Sequence, residues 1–360
     1  MSVVLSLVDQ RLGPAFVAAA DPTGQIQAVL ELGSQLRDAQ DRVDAARLDP
    51  VDAPGGLVVA GMGGSAIGGR LALGVLADRL RRPLAFADGY ELPPWTGADS
   101  LVLCSSYSGA TEETTMCYEI ARGRGASIVV AGAGGPLVAR ALADGVPVIR
   151  LPAGLQPRAA VGYSLVCALA AAALCGAVAS VRAELAPAAA LLDRLACEWG
   201  PNGQEGGSAK ALARRLVGVA PVIVGAGATA PVAYRWKCQL NENAKVPAFA
   251  SVLPEADHNE ICAWDAAPTA GAFAAVFLES EDDPPEIRRR VELTARAAGA
   301  GALAVRRVRA CGETRLERVL SLVLLGDLVS LYVAALRGVD PVEIAAIRDL
   351  KASLPLTAGA

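Results

Sequence analysis

The sequence is poor in the residues that build metal and redox centres. Its 360 residues include one histidine, His258, and eight cysteines that occur singly, with no CxxC pair and no Cys/His grouping of zinc-finger spacing. The cysteines therefore read as small buried apolar side chains in a reducing compartment. A surplus of positive charge is also missing. Lys and Arg number 33 against 37 Asp and Glu, a net charge of −4, which supplies no field for gathering DNA or RNA. The N-terminal stretch MSVVLSLVDQRLG has no basic run before its few apolar residues and meets Asp9 early, so it is not a secretory signal and a cytoplasmic chain is expected. Charge is absent altogether from Ala159 to Ser180, a run long enough to cross a bilayer. Alanine, glycine and serine gain little from hydrocarbon, however, and no second span accompanies it. We expect a helix buried between two domains and no membrane partner.

What is present is apolar and regularly punctuated. At 53% apolar residues and this length, two domains are the first expectation. After helical patterns up to about Leu48, short runs of β-formers follow at Leu57–Ala60, Leu84–Ala87, Leu101–Cys104, Ile128–Ala131 and Val146–Leu151, separated by helix-like stretches. Continuous apolar runs of this length, each followed by glycine or serine and then a longer segment, are the pattern of buried parallel strands with crossover helices. The pattern restarts at Val222–Val224, Phe249–Val252, Ala274–Leu278 and Leu303–Val308. Helical periodicity over Leu316–Leu336 and a proline-started helix in PVEIAAIRDLK (341–351) close the chain. The expected fold is α/β, two doubly wound domains covering 1–155, with leading helices, and 156–360.

Two loops concentrate polar chemistry. The Leu57–Ala60 strand runs into GMGGSAIGG (61–69) and then a helix, so the bare amides of Gly63 and Gly64 stand at a helix N-terminus that can receive a phosphate. Gly61, Gly63 and Ala66 also fit a dinucleotide fingerprint, with Asp88 placed to bind a ribose, and on this loop alone the NAD-binding reading stays open. The next loop, SSYSGATEET (105–114), crowds Ser105, Ser106, Ser108 and Thr111 around another helix N-terminus, and Ser65 adds its hydroxyl from the first loop. Hydroxyls and amides converging at neighbouring strand ends suit one phosphomonoester. Plain helix capping would employ one or two of these hydroxyls.

GMGGSAIGG, SSYSGAT, LPAGLQPRAAVGYS (151–164), RWKCQLNENAK (235–245), EADHNEI (255–261) and the terminal DLK resemble, in order and over nearly the whole chain, the bifunctional phosphoglucose/phosphomannose isomerase family of sugar-isomerase (SIS) domain proteins. The narrowest of these marks is NENAK with a histidine sixteen residues after its glutamate. The resemblance implies two SIS-type domains and an aldose–ketose isomerisation of glucose or mannose 6-phosphate to fructose 6-phosphate. It assigns the 6-phosphate to Ser65, Ser106, Ser108 and Thr111, the base to Glu242, stabilisation of the intermediate to Arg158, and ring opening to His258 and Lys351. It further implies a homodimer in which His258 reaches the neighbour's site, and a reaction without cofactor or metal. The chemistry is consistent with these residue types: moving a proton between C2 and C1 through a cis-enediolate needs one carboxylate near both carbons and a cation beside the developing oxyanion. Glu242 stands between Asn241 and Asn243, whose amides are expected to orient it, while Glu242 with Lys245 also has the spacing of an ordinary surface pair.

Two positions depart from the family pattern. Ala110 replaces a polar residue, a minor change. Ile344, seven residues before Lys351, stands where the resemblance places a small hydroxyl residue associated with accepting mannose 6-phosphate.

Overall fold

Parallel strands buried on both faces need β-branched and aliphatic runs, and central strands such as GLVVA and SLVLCS supply them. The computed structural model of the protein describes residues 12–353. β1 (Gly56–Ala60), β2 (Leu84–Ala87), β3 (Ser100–Ser105), β4 (Ser127–Gly132) and β5 (Val148–Arg150) form one sheet in the order β2-β1-β3-β4-β5. β6 (Ala220–Ala226), β7 (Phe249–Leu253), β8 (Phe273–Glu279) and β9 (Ala304–Arg309) form a second sheet in the order β7-β6-β8-β9. Every pairing is parallel. All residues of β1 and β3 are buried, as expected of apolar strands covered by helices on both faces.

Strand order places the loops. β1 lies between β2 and β3, with Val59 opposite Leu103 and Ala60 opposite Cys104. Crossovers from β1 and β3 leave in opposite directions, opening a crevice beyond their C-terminal ends. The loops that emerge there are GMGG and SSYSGAT. The second sheet reverses order at β6 in the same way, and the helix leaving β6, Ala230–Ala244, carries the NENA sequence.

The uncharged run becomes the helix Val161–Leu174, and its position differs from expectation. It packs on the helix Gly63–Leu76 and on β1, β3 and β4, within the first sheet's own covering layer. The small residues of that neighbouring helix explain the choice: a Cβ on Gly68 would stand 2.3 Å from the Ser164 carbonyl carbon, so only glycine admits so close an approach. The role expected of this segment falls to Arg315–Arg337. That helix is long and apolar enough to cross a membrane, yet its apolar window is wholly buried in the fold. It packs along Ala230–Ala244.

The two helices meet tightly at Gly326, where an added Cβ would lie 2.1 Å from the indole nitrogen of Trp236. Trp236 is fully buried and donates from Nε1 to the Leu322 carbonyl at 2.8 Å, so the ring cannot swing aside. Gly326→Ala is expected to destabilise the fold by about 1–3 kcal/mol, the usual cost of overpacking. The urea midpoint measures it; an unshifted midpoint would show that the helices separate freely.

Candidate functional site

Ser65 sits one residue beyond Gly64 in the first turn of Gly63–Leu76, buried, and its Oγ accepts the Tyr107 backbone N–H at 3.1 Å. That bond ties the loop after β1 to the loop after β3. In the second loop Ser106 donates from Oγ to Thr111 Oγ1 at 3.0 Å, and the Ser108 hydroxyl accepts the Ala110 N–H at 3.3 Å with the residue exposed to solvent. The N-cap positions of the two helices, Met62 and Thr111, make no side-chain cap bond. Gly63 and Gly64 thus open the first helix, and Thr111 precedes the second, at N-termini whose dipoles favour an anion. Tyr107 braces the arrangement: its hydroxyl donates to the Pro152 carbonyl at 2.7 Å and accepts the Leu155 N–H at 2.9 Å.

Glycine at 64 has a steric cause. A Cβ there would meet the Pro157 carbonyl oxygen at 2.6 Å, so the helix start and the Pro157–Ala159 turn can touch only without a side chain. This contact brings Arg158 to Gly63 and Gly64. Those three residues and Glu242 line one cleft of about 170 Å³, together with Arg70, Asp88, Tyr234, Cys238 and Gln239.

Arg158 is almost wholly buried, and its guanidinium is held on fixed acceptors. Nε donates to Asn243 Oδ1 at 2.8 Å and Nη2 to the Pro341 carbonyl at 2.7 Å, while Nη1 stands 3.6 Å from Glu242 Oε2. Burial pulls the Arg158 guanidinium below its ordinary value; Glu242 and Asp340 oppose that shift and Arg235 adds to it. A guanidinium remains charged through such a shift. Asn243 is fully buried and donates in turn to Ser330 Oγ at 2.9 Å. Beneath it, Arg235 forms a two-pronged pair with Asp327, at 2.9 and 2.5 Å, and donates from Nη2 to the Arg158 carbonyl at 2.8 Å. The chemical result is a carboxylate one-third exposed to the cleft, faced by a cation that cannot turn away.

Several expectations change in detail. The asparagines flanking Glu242 do not orient it: Asn241 Oδ1 accepts the Ala248 N–H at 2.9 Å, and Asn243 holds Arg158. Lys245 is no ordinary partner of the Glu242 carboxylate, since its ammonium donates to the Glu242 carbonyl at 2.9 Å. Asp88, the candidate ribose acid, pairs with Arg70 at the cleft rim, and Arg70 also lies 5.3 Å from the centres of the Phe86 and Tyr234 rings. His258 is exposed in the turn Glu255–His258 after β7 and does not line this cleft. Lys351 belongs to the helix Ala345–Ser353, but its side chain lies outside the described residues. Ile344 lines a separate groove with Gln156, Asp340 and Ile347. The Asn243 and Arg235–Asp327 supports had escaped sequence reasoning; buried polar residues inside a helix that also carries the carboxylate were their one available signal.

Known proteins resemble this chain in sequence and in fold. Residues 205–354 match the family described as bacterial phospho-glucose isomerase C-terminal SIS domain. A bifunctional phosphoglucose/phosphomannose isomerase of Caldicellulosiruptor bescii is 36% identical over 92% of this chain and 96% of its own length. One from Aquifex aeolicus is 34% identical over 83% of this chain and 90% of its own. Among solved structures, a hypothetical protein from Thermus thermophilus superposes with a TM-score of 0.69 at 17% identity, covering 98% of this chain and 92% of that one, a likeness of fold alone. On its sequence identity to these relatives, the chain belongs to the bifunctional phosphoglucose/phosphomannose isomerase family.

Proposed function

We propose that the protein interconverts glucose 6-phosphate, and mannose 6-phosphate, with fructose 6-phosphate through a cis-enediolate, without a metal or nucleotide. The observation that carries this reading is the Glu242 carboxylate 3.6 Å from a buried, immobilised Arg158 guanidinium, in a cleft that begins at the amides of Gly63 and Gly64. In the proposed mechanism the phosphate rests on Ser65, Ser106, Ser108, Thr111 and the adjoining amides. Glu242 removes the proton from C2 and returns it to C1. Arg158 presents Nη1 to the oxygen that gains negative charge, an electrostatic role usually among the largest in such reactions. The positive charge that a metal would otherwise provide is thus supplied by the chain. Among the described residues no group of three His, Cys, Asp or Glu side chains is placed to hold a metal ion.

Ring opening needs an acid and a base beyond these two. We assign it to Lys351 and to His258 of a second subunit in a homodimer. His258 stands exposed beside β7, an edge strand whose Phe249 and Val252 are about half exposed, at 51% and 45%. An edge strand with bare apolar side chains is suited to cover by a second copy.

Glu242→Gln should lower kcat by roughly 10²–10⁴ while leaving KM within a few-fold, because the amide keeps shape and loses basicity. Ser106→Ala and Thr111→Val should act the other way, raising KM with kcat nearly kept, since a phosphate is bound alike in ground and transition states. A coupled assay for fructose 6-phosphate distinguishes the two patterns; near-normal turnover of Glu242→Gln removes the base assignment.

Mixing Glu242→Gln with His258→Ala, under conditions that let subunits exchange, tests the shared site. If the residues act from different chains, each mixed dimer has one site with both intact and activity returns. Activity no higher than that of the separate variants would place both residues in one chain.

A further inference from the structure

The helix Ala230–Ala244 ends at Lys245, which takes a left-handed conformation (φ 54°, ψ 41°). Helices commonly end this way, but usually on glycine or asparagine, because a side chain makes the conformation costly. Arg47 and Lys245 are the non-glycine residues with positive φ among the described residues. A lysine kept at such a position calls for a use of its side chain.

That use is visible in its bonds. The ammonium donates to the carbonyls of Glu242, at 2.9 Å, and Asn243, at 3.4 Å, and to the carbonyl of Asp340, 95 residues further on. The first two are terminal carbonyls of the helix, which lack partners within it. The third belongs to the segment Asp340–Val342, whose Pro341 carbonyl takes the Arg158 hydrogen bond. The same segment leads directly into the helix Ala345–Ser353. Arg158 and Lys245 therefore grip one stretch of chain from two sides, Arg158 from within the core and Lys245 from its surface. Nearby, Arg337 donates to the Ala244 carbonyl at 3.0 Å, so this helix end is satisfied by cations from two parts of the sequence. Burial and the Arg158 charge lower the Lys245 ammonium from its ordinary value, against the pull of Asp340, Glu343 and Glu242.

We propose that Lys245 is a positioning residue for the isomerisation: its ammonium clips the Asp340–Val342 segment to the end of the helix that bears Glu242, and so sets where the C-terminal helix stands relative to the base. The inference rests on the isomerase reading. It explains why the lysine is tolerated in a strained conformation, and it links the base, the fixed guanidinium and the C-terminal helix through one side chain.

Lys245→Gly is the decisive variant, because glycine suits the left-handed backbone while it removes the side chain and its ammonium. The melting temperature should stay level or rise. Hydrogen exchange over residues 340–353 should quicken by about tenfold or more as the segment loses its clip. kcat should fall by roughly 10²-fold, the scale of an ångström-sized misplacement, with KM within about threefold. Lys245→Met, which keeps the aliphatic stem, should reproduce both effects. The proposal is overturned if Lys245→Gly leaves exchange and kcat within about twofold of the parent, or if exchange quickens while kcat holds. Glu242→Gln run in the same assay separates the two layers: turnover retained in that variant sinks the isomerase reading, whereas the exchange measurement judges the clip on its own.

Discussion

A guanidinium that cannot move organises this protein. Arg158 lies with a 5% exposed side chain between the two sheets' helical layers, and its contacts come from two distant parts of the chain: Asn243 and Arg235 on the helix after β6, the latter donating to the Arg158 carbonyl, and Pro341 beyond the helix Arg315–Arg337. Removing a charged group from water is expensive unless hydrogen bonds replace the lost solvent. Here they do, and satisfying Arg158 dictates where the elements meet. The Arg235–Asp327 pair beneath it follows the same logic. Burial raises the Asp327 carboxyl from its ordinary value while the bidentate Arg235 opposes the shift. Taking away either partner would leave an uncompensated charge in the core, a loss of about 3–5 kcal/mol.

From that constraint the site follows. The Pro157–Ala159 turn carries Arg158 against the start of the helix Gly63–Leu76, and a glycine at 64 is required for the two to touch. Strand order brings the second loop beside the first, and the Ser65–Tyr107 bond fastens them. Asn243, one residue from Glu242, grips Arg158, so the carboxylate and the guanidinium are placed by a single helix turn. The arrangement is preorganised: the charges stand ready before any ligand arrives, the condition under which electrostatic stabilisation is strongest.

Much of this was legible in the amino-acid sequence, for identifiable reasons. Strands such as Leu57–Ala60 and Leu101–Cys104 are continuous apolar runs closed by glycine or serine, and burial on both faces of a parallel sheet produces that pattern. GMGG and SSYSGAT stood out because small residues and hydroxyls at strand ends have few structural uses. The partners of Arg158 were not legible, since Asn243 and Pro341 lie 85 and 183 residues away and nothing local marks a pair. Asn241 and Asn243 misled for a related reason: adjacency in a helix suggests that they serve Glu242, whereas successive helical residues point in different directions. The uncharged run at Ala159–Ser180 misled through hydropathy, which reports that a helix is buried without reporting against what. Gly64 and Gly68 decided that, through close approaches no pattern of polarity reveals.

Solvent hydrogen exchange at the reacting carbons addresses the central claim, that one carboxylate facing a fixed guanidinium moves a proton between C2 and C1. The measurement is isomerisation of glucose 6-phosphate in D2O, followed by NMR of the product. A carboxylate that holds the proton between carbons loses part of it to solvent, so deuterium should appear at C1 of fructose 6-phosphate in a single stereochemical position and should not appear with Glu242→Gln. Conversion by Glu242→Gln at the parent rate, with deuterium still entering C1, would show that another group moves the proton, and would contradict the role given to Glu242 and Arg158.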